Sequence, residues 1–107
     1  MILRLWRGWT ARDSADRYEE LIARTIFPGI LGRRIAGLHS VELFRRPSDG
    51  EVEFMTLMRF ESWEAVKAFV GPDWEVSVVP PPARAVLARF DERASHYEVR
   101  VASPANG

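Results

Sequence analysis

The stretch "EVEFMTLMRFESWEAVKAF", Glu51 to Phe69, decides how the chain folds. Its first ten residues are rich in β-formers, and both parities are largely apolar. Val52, Phe54, Met58 and Phe60 lie on one side and Met55 and Leu57 on the other, so this strand needs cover on both faces. Ser62 then caps a helix in which Trp63, Val66 and Val70 recur at helical spacing, while Glu64 and Lys67 face outward. Gly71-Pro72 ends that helix, because proline has no N–H to continue it.

Before this stretch, "GLHSVELFRRP" (37–47) reads as another strand, and "SDG" (48–50) joins the two. Asp49-Gly50 tolerates the positive φ of a tight turn, so the pair is an antiparallel hairpin. At the N-terminus, Ile2 to Trp9 reads as a first strand. Thr10 to Ser14 supply capping side chains for a helix whose Tyr18, Leu21, Ile22, Thr25 and Ile26 share a face. Pro28-Gly29 is expected to break that helix, with one more turn before Gly37.

Beyond Gly71-Pro72, Asp73 to Val79 fits neither period well. Pro80 to Pro82 start a short helix with Ala83, Val86, Leu87 and Phe90 on one face, and "RASHYEVRV" (93–101) alternates as a last strand. The order β, α, β, β, α, small α, β describes an α+β, ferredoxin-like split βαβ fold with helices on one face of an antiparallel sheet. One domain is expected over residues 1–102, followed by a flexible tail at 103–107. The second apolar face of the sheet is most simply covered by a second copy, giving a homodimer.

The 107 residues carry 15 acidic and 15 basic groups and no Cys. Such a balance supplies no global field for nucleic acid or an anionic membrane, and the absence of thiols removes disulfides, thiolate nucleophiles and Cys-based metal sites. The N-terminal segment "MILRLWRGW" is broken by Arg4 and Arg7, so it is neither a signal peptide nor a span, and a cytoplasmic protein is expected. The stacking pattern of RNA-binding domains with this strand order is missing from "EVEFMTLMRF". No nucleophile elbow, phosphate-binding glycine loop or dinucleotide motif occurs.

Candidate site residues are therefore few. Trp63 and Trp74, at the two ends of one helix, suit the walls of a cavity for a planar ligand, and they equally suit packing. Phe69 shares that helix. Trp6 and Trp9 have opposite parity, so one at most faces a cavity, and Trp6 is preferred. His39 and His96 lie on separate strands without metal-ligand spacing, so no metal site is expected, although either could act as a base. An inward strand Arg, such as Arg4, Arg7 or Arg59, would need a carboxylate or an anionic ligand.

The segments "RFESWEAVKAF" and "VVPPPARAVLARFDERASHYEV" resemble the antibiotic biosynthesis monooxygenase-like proteins of the dimeric α+β barrel superfamily, and the likeness runs from Ile2 to about Val101. That resemblance implies a ligand cavity between sheet and helices, with Trp63 matching a tryptophan that often lines it. Relatives that degrade haem pair an Asn on the first strand with such a Trp and a His after the second helix. This chain has Trp6 and Arg7, then Asp73 and Trp74, at those places, which argues against haem degradation. The resemblance implies a monooxygenase that works without a cofactor on a small aromatic or quinol-like substrate, with Trp63 as the one residue it carries over. The residues themselves add Trp74, Trp6, Phe69 and Arg59 as binding candidates and His39 or His96 as a candidate base. The competing expectation is a non-catalytic small-molecule-binding or assembly module of the same fold.

Overall fold

A computed structural model describes residues 1–105. Strand β1 (Ile2–Ala11) leads into helix α1 (Ala15–Leu21), a π turn (Ile22–Ile26) and α2 (Phe27–Gly32). The hairpin β2 (Leu38–Ser48) and β3 (Glu51–Phe60) follows, then α3 (Trp63–Val70), α4 (Pro81–Val86), β4 (Arg89–Phe90) and β5 (Ser95–Glu98). The antiparallel sheet runs β2-β3-β1-β4, with β5 also on β1. This is the expected ferredoxin-like order.

Several local expectations hold for the expected reasons. Asp49 and Gly50 both have positive φ, 45° and 83°, between the paired residues Ser48 and Glu51, as a two-residue hairpin demands. The Ser62 side chain accepts from the Ala65 N–H and caps α3. Gly37, at φ 86°, lies where a Cβ would sit 2.8 Å from that of Ala65, so α3 can close on the sheet only over a glycine.

Pro28 does not break the first helix. The π turn just before it lets the Phe27 N–H reach back five residues to the Ile22 carbonyl. A widened turn accommodates the proline ring where a regular turn would press it on the carbonyl four residues earlier. The helix therefore continues to Gly32 and carries Ile22, Ile26, Phe27 and Ile30 over the sheet.

The C-terminal expectations are also corrected. α4 ends at Val86 and Leu87 is already extended, so Phe90 lies on β4, paired with Gly8, rather than on the helix. β4 and β5 are two pieces of one edge strand along β1. Between them the chain bulges out, and Val76 and Ser77 of the irregular segment 73–79 pair with Arg93 and Glu92 of that bulge. Of the tail expected at 103–107, residues 106 and 107 lie outside the described residues.

The core forms two clusters on the helix-covered face. One contains Ile2, Met58, Phe60, Ala65, Val66 and Phe69; the other contains Ala15, Tyr18, Ile22, Val52, Phe54 and Ala83. On the opposite face Leu3, Leu5, Met55 and Leu57 are half-buried, while Phe44 and Tyr97 are 46% and 57% exposed.

Candidate functional site

A cavity of about 50 Å³ lies at the seam between the two core clusters. Arg4 and Trp6 of β1 and Thr56 and Met58 of β3 form its floor. Tyr18, Ile22, Ile26, Phe27 and Ile30 close it from the first helical segment, Phe69 from α3, and Val78 to Pro80 with Ala83 from the C-terminal side. The volume exceeds that of a single water and falls well short of the roughly 300 Å³ at which small-ligand sites begin.

Arg4 is the charged group in this wall and is 3% exposed. Its Nη1 donates to the Trp74 carbonyl at 2.6 Å and its Nη2 to the Val76 carbonyl at 2.7 Å. His96 Nε2 lies 3.1 Å from Nη1. Among the described residues no carboxylate stands within ion-pair distance of Arg4, so its charge is solvated by dipoles alone. Burial accordingly lowers its pKa to about 10, which still leaves it cationic at neutral pH.

The other polar groups are constrained. The Trp6 indole N–H donates to Ser77 Oγ at 3.0 Å and to the Asp91 carbonyl at 2.7 Å, so this ring offers the cavity only its apolar surface. Gly8 makes space for that arrangement: a Cβ there would come within 2.9 Å of Leu87 and 3.3 Å of the Trp6 ring. Burial raises the Tyr18 hydroxyl to about 12 and holds it protonated.

Trp63 and Trp74 do not line this cavity. Their rings meet edge to face at 4.8 Å, and both touch His96, at 5.7 and 5.2 Å. The three rings pack on one another behind Arg4, and Trp74 also borders an open surface hollow with Lys67, Gly71 and Pro72. Burial first, and the Arg4 charge second, push His96 down to about 4, against the opposing pull of Glu75. A neutral His96 that accepts from Arg4 on Nε2 carries its proton on Nδ1, which is buried without a partner.

The remaining candidates are dispersed. His39 is exposed beside a register irregularity of β2, away from the cavity. Arg59 belongs to the opposite parity of β3 and pairs with Glu42 at 3.1 Å on the open face, so it cannot reach a ligand held beneath the helices. Arg7 shares that face with its partner Asp91. Trp9 stacks beneath Arg89 at 4.0 Å and near Arg7 at 5.2 Å. Trp6 and Phe69 do line the cavity. Sequence reasoning undervalued Arg4, although it shares parity with buried Ile2 and with Trp6, and a charge on a core parity is a usable signal. Tyr18 enters the sequence reading only as part of the shared face of the first helix. Among the described residues no cluster of His, Asp and Glu could hold a metal, and no helix is long and apolar enough to cross a membrane.

Comparisons with known proteins bear on the fold. No protein-family model matches the sequence, and a comparison with curated proteins finds no match. Solved structures do match. A protein of Bacillus cereus assigned as an antibiotic biosynthesis monooxygenase superposes with TM-score 0.67 at 14% identity, covering 100% of this chain and 98% of the other. A Streptomyces coelicolor monooxygenase in complex with nanaomycin D has TM-score 0.62 at 14% identity over 98% and 92%. The Rv0793 protein of Mycobacterium tuberculosis has TM-score 0.59 at 18% identity over 96% and 98%. The chain thus has the fold of antibiotic biosynthesis monooxygenase proteins, as the resemblance in its sequence implied.

Proposed function

We propose that the protein binds a small phenol- or quinol-like aromatic molecule in the seam cavity, whose volume of about 50 Å³ must widen to admit a ring, and oxygenates it without a cofactor. The observation that carries this reading is Arg4. A buried guanidinium without a carboxylate is costly, and an anionic ligand atom in the adjoining cavity would supply the missing charge. Trp6 and Phe69 would hold the ring, and Arg4 would favour ionisation of its hydroxyl.

The chemistry needs little from the protein. A quinol-type substrate that loses a proton forms a stabilised carbanion, which reduces dioxygen directly. The ring carbon para to the hydroxyl bonds one oxygen of dioxygen, and the O–O bond of the resulting peroxide then breaks. One oxygen stays on that carbon as a quinone carbonyl, and the other leaves as water with the ring C–H hydrogen and the hydroxyl proton. Arg4 stabilises the anion throughout, and the apolar walls orient the ring. The neighbour in complex with nanaomycin D supports a small-molecule ligand on this fold. Titrating the protein with naphthol by tryptophan fluorescence tests the pocket. Replacing Arg4 with Met should weaken binding about tenfold or more, the scale of a charge-assisted hydrogen bond; unchanged affinity would refute the role of Arg4.

A non-catalytic binder is favoured by one observation: His96 lies behind Arg4, and among the described residues no His or carboxylate lines the cavity. Oxygen uptake on a panel of phenols and quinols separates the two readings, since a binder shows affinity without uptake. In either case we propose a dimer closed by the open sheet face, where Leu5, Leu57, Met55 and Phe44 lie among the ion pairs Arg59–Glu42 and Arg7–Asp91. Light scattering should give twice the 12.2 kDa chain mass, and Leu57→Asp should return it to the monomer value.

A further inference from the structure

A second hollow lies directly outside the cavity. This groove of about 260 Å³ is lined by Thr25, Gly29, Arg33 and five residues that also line the cavity: Ile26, Ile30, Phe69, Val78 and Pro80. The two spaces are therefore separated by a shared wall. Val78 is 45% exposed although it lines the interior, so that wall is one side chain thick at this point. The Ser77 N–H donates to the Glu92 carbonyl, and the Pro80 carbonyl accepts from the Ala83 and Arg84 N–H groups. Val78 and Val79 between these two anchors lie outside any helix or strand, so the wall can shift at Val78 without releasing either end.

Phe69 has a guanidinium near its ring from each space. The Arg4 carbon Cζ lies 5.5 Å from the ring centroid and the Arg33 Cζ lies 5.2 Å from it, the first belonging to the cavity wall and the second to the groove wall. Arg33 Nη2 donates to the carbonyls of Ala68, at 3.4 Å, and Phe69, at 3.1 Å, which anchors the side chain at the C-terminal end of α3. Among the described residues no carboxylate lies within ion-pair distance of Arg33, and its other N–H donors remain available.

Resting on the reading of the cavity as an aromatic-ligand site, we propose that the groove is the second half of the same binding site. It takes a carboxylate-bearing arm of the ligand, and Arg33 is the residue that selects for that arm. Separately, neither hollow reaches the size of a small-molecule site, and joined across the Val78–Pro80 wall they reach the lower end of that range, roughly 300 Å³. The apolar lining of Ile26, Ile30 and Pro80 suits the methylenes of an arm, and the Arg33 fork suits its planar carboxylate end. A ligand that is anionic at both ends would pair with Arg4 inside and Arg33 outside.

The experiment compares two probes, a naphthol carrying a propyl arm and the same naphthol carrying a propanoate arm, by fluorescence titration. Wild-type protein should bind the propanoate probe about tenfold more tightly, as one charge-assisted pair provides. Arg33→Gln should erase that preference and Arg33→Lys, which keeps the charge, should retain most of it. Equal binding of the two probes by the wild type, or a preference that survives Arg33→Gln, overturns the proposal while leaving the aromatic pocket standing. Failure of both probes to bind overturns the pocket reading and this one with it. Should Arg33→Gln fail to fold, the salt dependence of the wild-type preference decides: loss of the preference at high salt supports the Arg33 contact, and no change refutes it.

Discussion

On one side of Arg4, Trp63, Trp74 and His96 pack on one another; on the other, Trp6, Phe69 and Tyr18 border a void. Both groups are aromatic and both touch the same guanidinium, directly or through a carbonyl. Trp6, Tyr18 and Phe69 also pack on the rings of Phe90, Phe54 and Phe60, at 5.9, 4.7 and 5.9 Å, so the two groups differ in what their remaining surface meets. A ring that meets another ring contributes dispersion and excludes water, so its free energy goes into folding. A ring that meets empty space beside an unpaired charge leaves that free energy for a ligand. Composition alone cannot distinguish the two, and four tryptophans in 107 residues were compatible with either.

The largest expected effect tests the packed group. Trp63→Ala should cost about 3 kcal/mol in denaturant unfolding, because it opens a hole between Trp74 and His96. Affinity for a naphthol probe, measured where the variant remains folded, should change little. A variant of unchanged stability that fails to bind the probe would reverse the comparison and place the ligand at Trp63.

A smaller effect comes from His96 in the same group. Its folded pKa, about 4, lies below the ordinary value of 6.5, so the unfolded chain binds the extra proton more readily. Stability should therefore be complete above pH 6.5 and fall as pH drops toward 4, with a slope that His96→Asn removes. The charged groups acting on this ring are Arg4, which lowers the pKa, and Glu75, which raises it. Melting temperatures across that pH interval check the sign.

The smallest effect belongs to the cavity side. Trp6→Phe deletes an N–H that donates to Ser77 and Asp91, and it should cost about 1 kcal/mol. It keeps an aromatic surface toward the cavity, so naphthol binding should survive. A much larger loss would mean that Trp6 holds the fold more than it holds a ligand.

Much of the architecture was legible because it follows from local rules. Asp49-Gly50 fixes a hairpin by backbone sterics, and Ser62 fixes the start of α3 by its cap. Pro28 was misread because a π turn, invisible in spacing, widens the helix ahead of it. Phe90 was misread because Pro81–Val86 is too short a helix to carry its apolar period that far. In the site, Trp6 and Phe69 border the cavity, while Arg59, on the opposite parity of β3, pairs with Glu42 on the open face.

The sequence by itself determined the split βαβ order of the main strands and helices, the hairpin and the two-faced sheet, since each depends on residues a few positions apart, and its composition excluded thiol chemistry. Only the tertiary structure decided that Trp74 meets Trp63 and leaves the cavity to others, and that Arg4 is buried without a carboxylate while Arg59 has one. Those outcomes depend on contacts between residues up to 92 positions apart, as between Arg4 and His96. Whether a charge is paired and a void is left open is a property of the packed whole, which no local pattern encodes.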